Sequence, residues 1–163
     1  MSIGLANAAE MPALSPELDA VRAIVEKYKD PILAVHDGYH STVACIASAK
    51  GSGAMGVHFI NGQLIGQEPD PMRPVGLMYE PVGGKLELVG VEWLRPALPD
   101  SERPQLFGQD FHGPMDGHEP VMPAKVRHYD LHAWIFKANP AGVFENWNAD
   151  VTCDAESGYP ILM

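Results

Sequence analysis

Apolar residues recur at two different periods along this chain, and the change of period divides it. Ser15-Pro16-Glu17 has the form of a helix start, with Ser as N-cap, Pro at the first helical position and an acid in the first turn. Leu18, Val21, Ile24, Val25 and Tyr28 follow at helical spacing. Asp30-Pro31 repeats the cap-and-proline signal and predicts a second helix through Ile32, Leu33 and Val35 that weakens at Gly38; a kinked continuous helix fits the same residues. Ser48–Ala54 is a loop by composition.

From Met55 the period falls to two. Strands are expected over Met55–Asn61, Val75–Glu80, Lys85–Leu94 and Val126–Lys137. Pro81-Val82-Gly83-Gly84 makes the second and third a hairpin. Residues 62–74 read as a loop, and residues 95–124 as a long Pro- and Gly-rich one, of the kind that drapes over a site. Helices followed by strands, without βαβ alternation, indicate an α+β fold. An N-terminal helical segment is expected to pack on a curled antiparallel sheet of four or more strands. Residues 1–14 read as a loose arm and 15–163 as one domain.

With 46% hydrophobic residues among 163, the chain can build a core, and no apolar run reaches membrane-spanning length. A formal net charge of −10, with only 11 basic residues, argues against nucleic acid and anionic membranes as partners. A small molecule, neutral or cationic, or a metal ion suits this balance; a homo-oligomer is compatible with it. Cys45 and Cys153 read either as two buried thiols or as one disulfide, the latter implying an oxidising compartment. Leu5–Glu10 resembles a signal-cleavage site, which favours a secreted or periplasmic protein over a cytoplasmic one.

The candidate chemistry lies in the sheet. On the fourth strand, alternation places His128, Asp130, His132 and Trp134 on one face and Tyr129, Leu131, Ala133 and Ile135 on the other. Residues two apart on a strand are separated by about 6.6 Å and residues four apart by about 13 Å, so His128 and His132 hardly share one ion on a straight strand. Glu92 shares a face of the third strand with Leu86, Leu88 and Leu94, which makes it an acid among apolar neighbours; it must be paired, protonated or metal-bound, unless it lies at the sheet rim or pairs with Arg95. An antiparallel pairing of these strands would bring it to His128 or Asp130. His58 is opposite in phase to Met55, Val57 and Phe59, so it points outward unless both sheet faces are covered. On the long loop His118 is preferred to His112 as a site residue, and His36 and His40, four apart, read as helix residues. Glu80 lies beside the hairpin turn, too far along the sheet to join Glu92.

Imidazoles with a carboxylate suit a divalent transition metal: zinc, iron, manganese or copper. His58, Glu92 and His132 are the candidate ligands, with His128 in the same site. Asp130 and His128 are the candidate catalytic groups, Asp130 orienting a histidine, while Trp134, Trp93 and His118 are candidates for substrate contact. No Gly-rich phosphate loop, nucleophile elbow or cysteine-based zinc spacing is present. These residues indicate a metal-dependent enzyme acting on a small molecule, or a small-molecule-binding protein with a polar-anchored apolar pocket.

The segments Gly53–Asn61, Met78-Tyr79-Glu80-Pro81, Leu88–Trp93, Leu106-Phe107-Gly108-Gln109, Gly113-Pro114-Met115 with Gly117-His118, and His128–Trp134 resemble those of a family of small, often exported bacterial proteins. The resemblance covers about residues 20–153 and lends no reaction. It implies that Cys45 and Cys153 are a pair, as in exported members. Trp147-Asn148-Ala149 departs from its pattern, in which Pro follows Asn.

Overall fold

Two proline-capped helices are followed by strands in the computed structural model, which describes residues 10–119 and 122–163. All of the Leu5–Glu10 segment but Glu10, and most of the N-terminal arm, thus lie outside the described residues. Helix α1 spans Pro16–Val25, a 3₁₀ turn Glu26–Lys29, and α2 Pro31–His36. Ser15 caps α1 by accepting from the Leu18 N–H at 3.2 Å, and Asp30 caps α2 by accepting from Ile32 N–H at 3.0 Å. Leu18, Val21, Val25 and Tyr28 bury against the sheet. Ile24 points away from it, and α2 buries only Ala34, leaving Ile32, Leu33 and Val35 exposed. The second helix is therefore short, and His40 is not on it.

Instead His40 opens β1 (His40–Ala47), a strand where the sequence pattern shows none. The rest of the sheet is β2 (Ala54–Ile60), β3 (Gly76–Val82), β4 (Lys85–Pro96), β7 (His112–Met115), β8 (His128–Ala133) and β9 (Ile161–Leu162), while β5 (Gln105–Leu106) and β6 (Gln109–Asp110) form a separate small ribbon. Strand order is β7-β8-β4-β3-β2-β1-β9, antiparallel except for the parallel β1–β9 edge. The fold is α+β, with the helical segment on a curled, mostly antiparallel sheet. The β3–β4 hairpin turns at Gly83-Gly84, both at positive φ, which suits a two-residue turn.

Three irregularities re-aim side chains. On β4, Met78 pairs with Gly90 and Tyr79 with Leu88, so Val89 is an extra residue. The bulge inverts the phase. Leu86 and Leu88 pack with Val91 and Trp93 in the main core, and Glu92 lies on the opposite face from them. On β2, Met55 is the extra residue between two register positions, and it joins His58 rather than Val57 and Phe59. On β1, the three residues Thr42, Val43 and Ala44 face His58 alone. The face away from the main core carries Ala54, Met78, Val89, Trp134 and Val151, packed beneath the C-terminal segment. Both faces of the sheet are therefore covered, the condition under which His58 turns inward.

Cys45 and Cys153 form a disulfide across a sequence separation of 108 residues, tying β1 to the tail. Asn148 holds the same tail through a bridge to Ala54 and a 3.0 Å hydrogen bond to the Ala138 carbonyl. Glu80 is buried in a tether: it accepts from Lys137 Nζ at 2.6 Å and from the Thr152 N–H at 2.9 Å. It has no part in the site around Glu92.

Candidate metal centre

The β4–β8 ladder places Glu92 directly opposite His132, not His128 or Asp130. His58 comes from β2, two strands away, and β3 lies between. Glu92 reaches it because β3 carries Gly76 at the intervening position, paired with both Ile60 and Glu92. The carboxylate then divides between two rings. Its Oε1 lies 3.6 Å from His132 Nε2, and its Oε2 lies 3.8 Å from His58 Nε2. One donor atom from each of the three residues falls within 4.8 Å of the others. An ion with ligands at about 2.0–2.1 Å in tetrahedral geometry holds its donors about 3.3 Å apart, so small side-chain rotations would close the set.

All three side chains are buried. Burial pushes His58 down to about 3 and His132 to about 4, so both rings are neutral near neutral pH and carry lone pairs. Burial, and then the charge of Asp130, raises the Glu92 carboxyl well above its ordinary range. Asn146 fixes the tautomer of His132. Its Oδ1 sits 3.2 Å from Nδ1, so Nδ1 donates and Nε2 is left as an acceptor. That Nε2 is buried without a hydrogen-bond partner. Glu92 Oε1, 3.6 Å away, is too far for a carboxyl proton to hydrogen-bond that lone pair. A cation satisfies both rings and the carboxylate together, so the donor set fits a divalent metal.

The triad opens on a cavity of about 160 Å³. Ile46, Ile60, Ile65 and Leu94 give it apolar walls, and His118, His128 and Asp130 add polar groups. His128 lies beyond the three-residue set. Its Nε2 is 3.8 Å from Asp130 Oδ2, and its ring meets that of His118 edge-on, with centroids 6.0 Å apart. Asp130 forms no hydrogen bond to either neighbouring histidine; its Oδ1 is 4.0 Å from His132 Nδ1 and is buried without a partner. Burial raises its pKa to about 6, against the opposing influence of His128, His112 and His118. The group that orients His132 is Asn146, from an aperiodic tail segment that gave no signal in the sequence.

The remaining candidates fall elsewhere. Trp93 is on the core face of β4, donating its indole N–H to the Asp70 carbonyl at 2.9 Å. Trp134 packs under the tail and donates to the Glu145 carbonyl at 2.6 Å. Neither indole lines the cavity, because Trp93 follows Glu92 on β4 and takes the opposite face, and the chain leaves the β8 ladder at Ala133. His112 is on β7 and contacts the Phe144 carbonyl at 3.3 Å, leaving His118 as the loop histidine at the cavity. Arg95 pairs with Glu68 at 2.8 Å and is not the partner of Glu92. Comparison of the chain with protein-family models, with curated proteins and with solved structures finds no match in any of the three.

Proposed function

We propose that this protein is a metal-dependent enzyme acting on a small molecule, with His58, Glu92 and His132 holding a divalent ion. The observation that carries this reading is the unsatisfied lone pair of His132 Nε2, fixed by Asn146 and aimed at a buried carboxylate and a second neutral imidazole. Three protein ligands leave coordination positions free, as catalytic sites require and structural ones do not. The ion would supply Lewis acidity or an activated water. Asp130 Oδ1, unpartnered at the cavity wall, is the atom placed to exchange a proton with a bound ligand, and His128 lies beside it. His118 would contact that ligand from the loop side.

The donor chemistry admits zinc, iron, manganese or copper. The disulfide supports an oxidising compartment, and with the family resemblance it favours a secreted or periplasmic protein. The test is elemental analysis of protein purified without chelator or affinity-tag metal. Near-stoichiometric metal that is lost in His132→Ala, with the circular dichroism spectrum retained, is the expected result. Metal-free protein that also takes up none of these ions on addition would overturn the reading. The mostly apolar cavity wall favours one second reading, a binding protein without catalysis, marked by ligand-induced stabilisation of metal-free protein.

A further inference from the structure

Among the described residues, three buried side-chain atoms lack a hydrogen-bond partner: His132 Nε2, Asp130 Oδ1 and Thr42 Oγ1. All three residues line the same cavity. The metal centre accounts for the first, and proton exchange gives the second a role. The Thr42 hydroxyl is left, and a buried hydroxyl without a partner is destabilising.

The backbone that presents it is also unusual. Thr42, Val43 and Ala44 bulge opposite His58, and Val43 sits at φ +55. A β-branched residue in the left-handed region is strained. Val43 is turned out to solvent with 66% of its surface exposed, while the threonine beside it faces the cavity. Burial of Val43 therefore does not explain the distortion.

We infer that Thr42 anchors the substrate of the proposed metal site, by a hydrogen bond to an oxygen of a molecule bound at the triad; this rests on the metal reading. The surroundings define the molecule's class. A cavity of about 160 Å³ compares with the roughly 150 Å³ that admits a benzene ring. No Lys or Arg is among the described lining residues, and the walls are aliphatic, so the body of the ligand is neutral and apolar. Thr42 and His58 line the same cavity from the adjacent strands β1 and β2, so a molecule at the triad can also meet the Thr42 hydroxyl. One oxygen of the ligand is then at the metal and a second at Thr42. The class is a ring-sized, neutral compound with two oxygen functions, such as a catechol, a diol or a hydroxyketone.

The test uses chelator-stripped full-length protein reloaded with zinc, titrated calorimetrically with catechol and with phenol, which lacks the second oxygen. Wild type should bind catechol more tightly than phenol. Thr42→Val should lose about three- to tenfold of catechol affinity and leave phenol affinity unchanged, the value of one neutral hydrogen bond. Thr42→Ser, which keeps the hydroxyl, should retain the preference. Equal catechol affinity in zinc-loaded wild type and Thr42→Val would overturn the anchor while leaving the metal site standing. Failure of zinc-loaded wild type to bind either probe would overturn the ligand class. Failure of wild type to hold zinc, copper, manganese or iron would remove the metal reading and the anchor with it.

Discussion

A Cβ placed on Gly76 would lie 2.8 Å from Glu92 Oε2 and 3.0 Å from Ile60 Cδ1. The missing side chain on β3 is what lets a β4 carboxylate cross to an imidazole on β2. Gly76 is not at positive φ, so its role here is space and not backbone freedom. Gly76→Ala should therefore displace the carboxylate from His58 without preventing the strand from forming. We expect metal affinity to fall at least tenfold and stability to fall by about 1–3 kcal/mol, the usual cost of one methyl group forced into a packed site. Competitive chelator titration and thermal melts measure the two; unchanged affinity would show that the carboxylate need not cross β3.

Glu92→Gln separates function from stability. In the metal-free protein Glu92 is a buried acid facing the acceptor Nε2 of His132 and the ring of His58. A glutamine amide can donate to either ring and carries no charge to desolvate. Metal binding should be lost, while the melting temperature of the metal-free protein should rise by about 2–4 °C, equivalent to about 1 kcal/mol for a chain of this size. A fall in melting temperature would mean that Glu92 stabilises the apo fold.

The alternation of His128, Asp130 and His132 on β8 was legible because an unbulged strand keeps its period of two. The partnership of Glu92 with β8 was legible in outline, but not its register with His132, which depends on hydrogen-bond pairing and leaves no trace in composition. Strict alternation groups Glu92 with Leu86 and Leu88, yet those leucines are on the other face, because Val89 shifts the phase. One extra residue likewise moved Met55 to the site and Trp93 to the core. Strand β1 was hidden because its own bulge spoils the alternation of His40–Ala47 and its burial is mixed. Asn146 belongs to a segment with no period at all, where only three-dimensional proximity identifies it.

Asn146→Ala should weaken metal binding by about 10–100-fold, the effect typical of removing the group that orients a metal-bound histidine. Without the Oδ1 acceptor, Nδ1–H loses its partner, and the tautomer that presents Nε2 to Glu92 loses its preference. Asn146→Asp should restore much of the affinity, since a carboxylate accepts the same hydrogen bond. Equal affinity in wild type and Asn146→Ala would indicate that packing alone sets the ring.

The disulfide closes a loop of 108 residues. In the chain-entropy model such a link contributes about 4–5 kcal/mol by restricting the unfolded chain. Replacing Cys45 and Cys153 together by serine should lower stability by that order. Adding reductant to wild type should lower its melting temperature comparably, and the serine variant should not respond. A small effect in both experiments would show that the tail is held by Glu80, Lys137 and Asn148 instead.

The pH dependence should separate metal-free from metal-bound protein. The folded pKa values of His58 and His132 are depressed to about 3 and about 4, so their contribution to apo stability is fully present above about 6.5 and lost as pH falls toward those values. Asp130 is raised to about 6 and Glu92 well above its ordinary range; their contribution is present below about 4 and lost as pH rises through the folded values. The two pairs oppose each other, so apo stability should peak in mildly acidic solution. A bound divalent ion requires Glu92 without its proton and reverses the carboxylate penalty. The rise in melting temperature on adding zinc should therefore grow between pH 5 and pH 8, with protons released on binding. Calorimetry in buffers of different ionisation enthalpy measures that release. A zinc-induced rise that is flat or shrinks over this range would mean that the ion binds outside the His58–Glu92–His132 set.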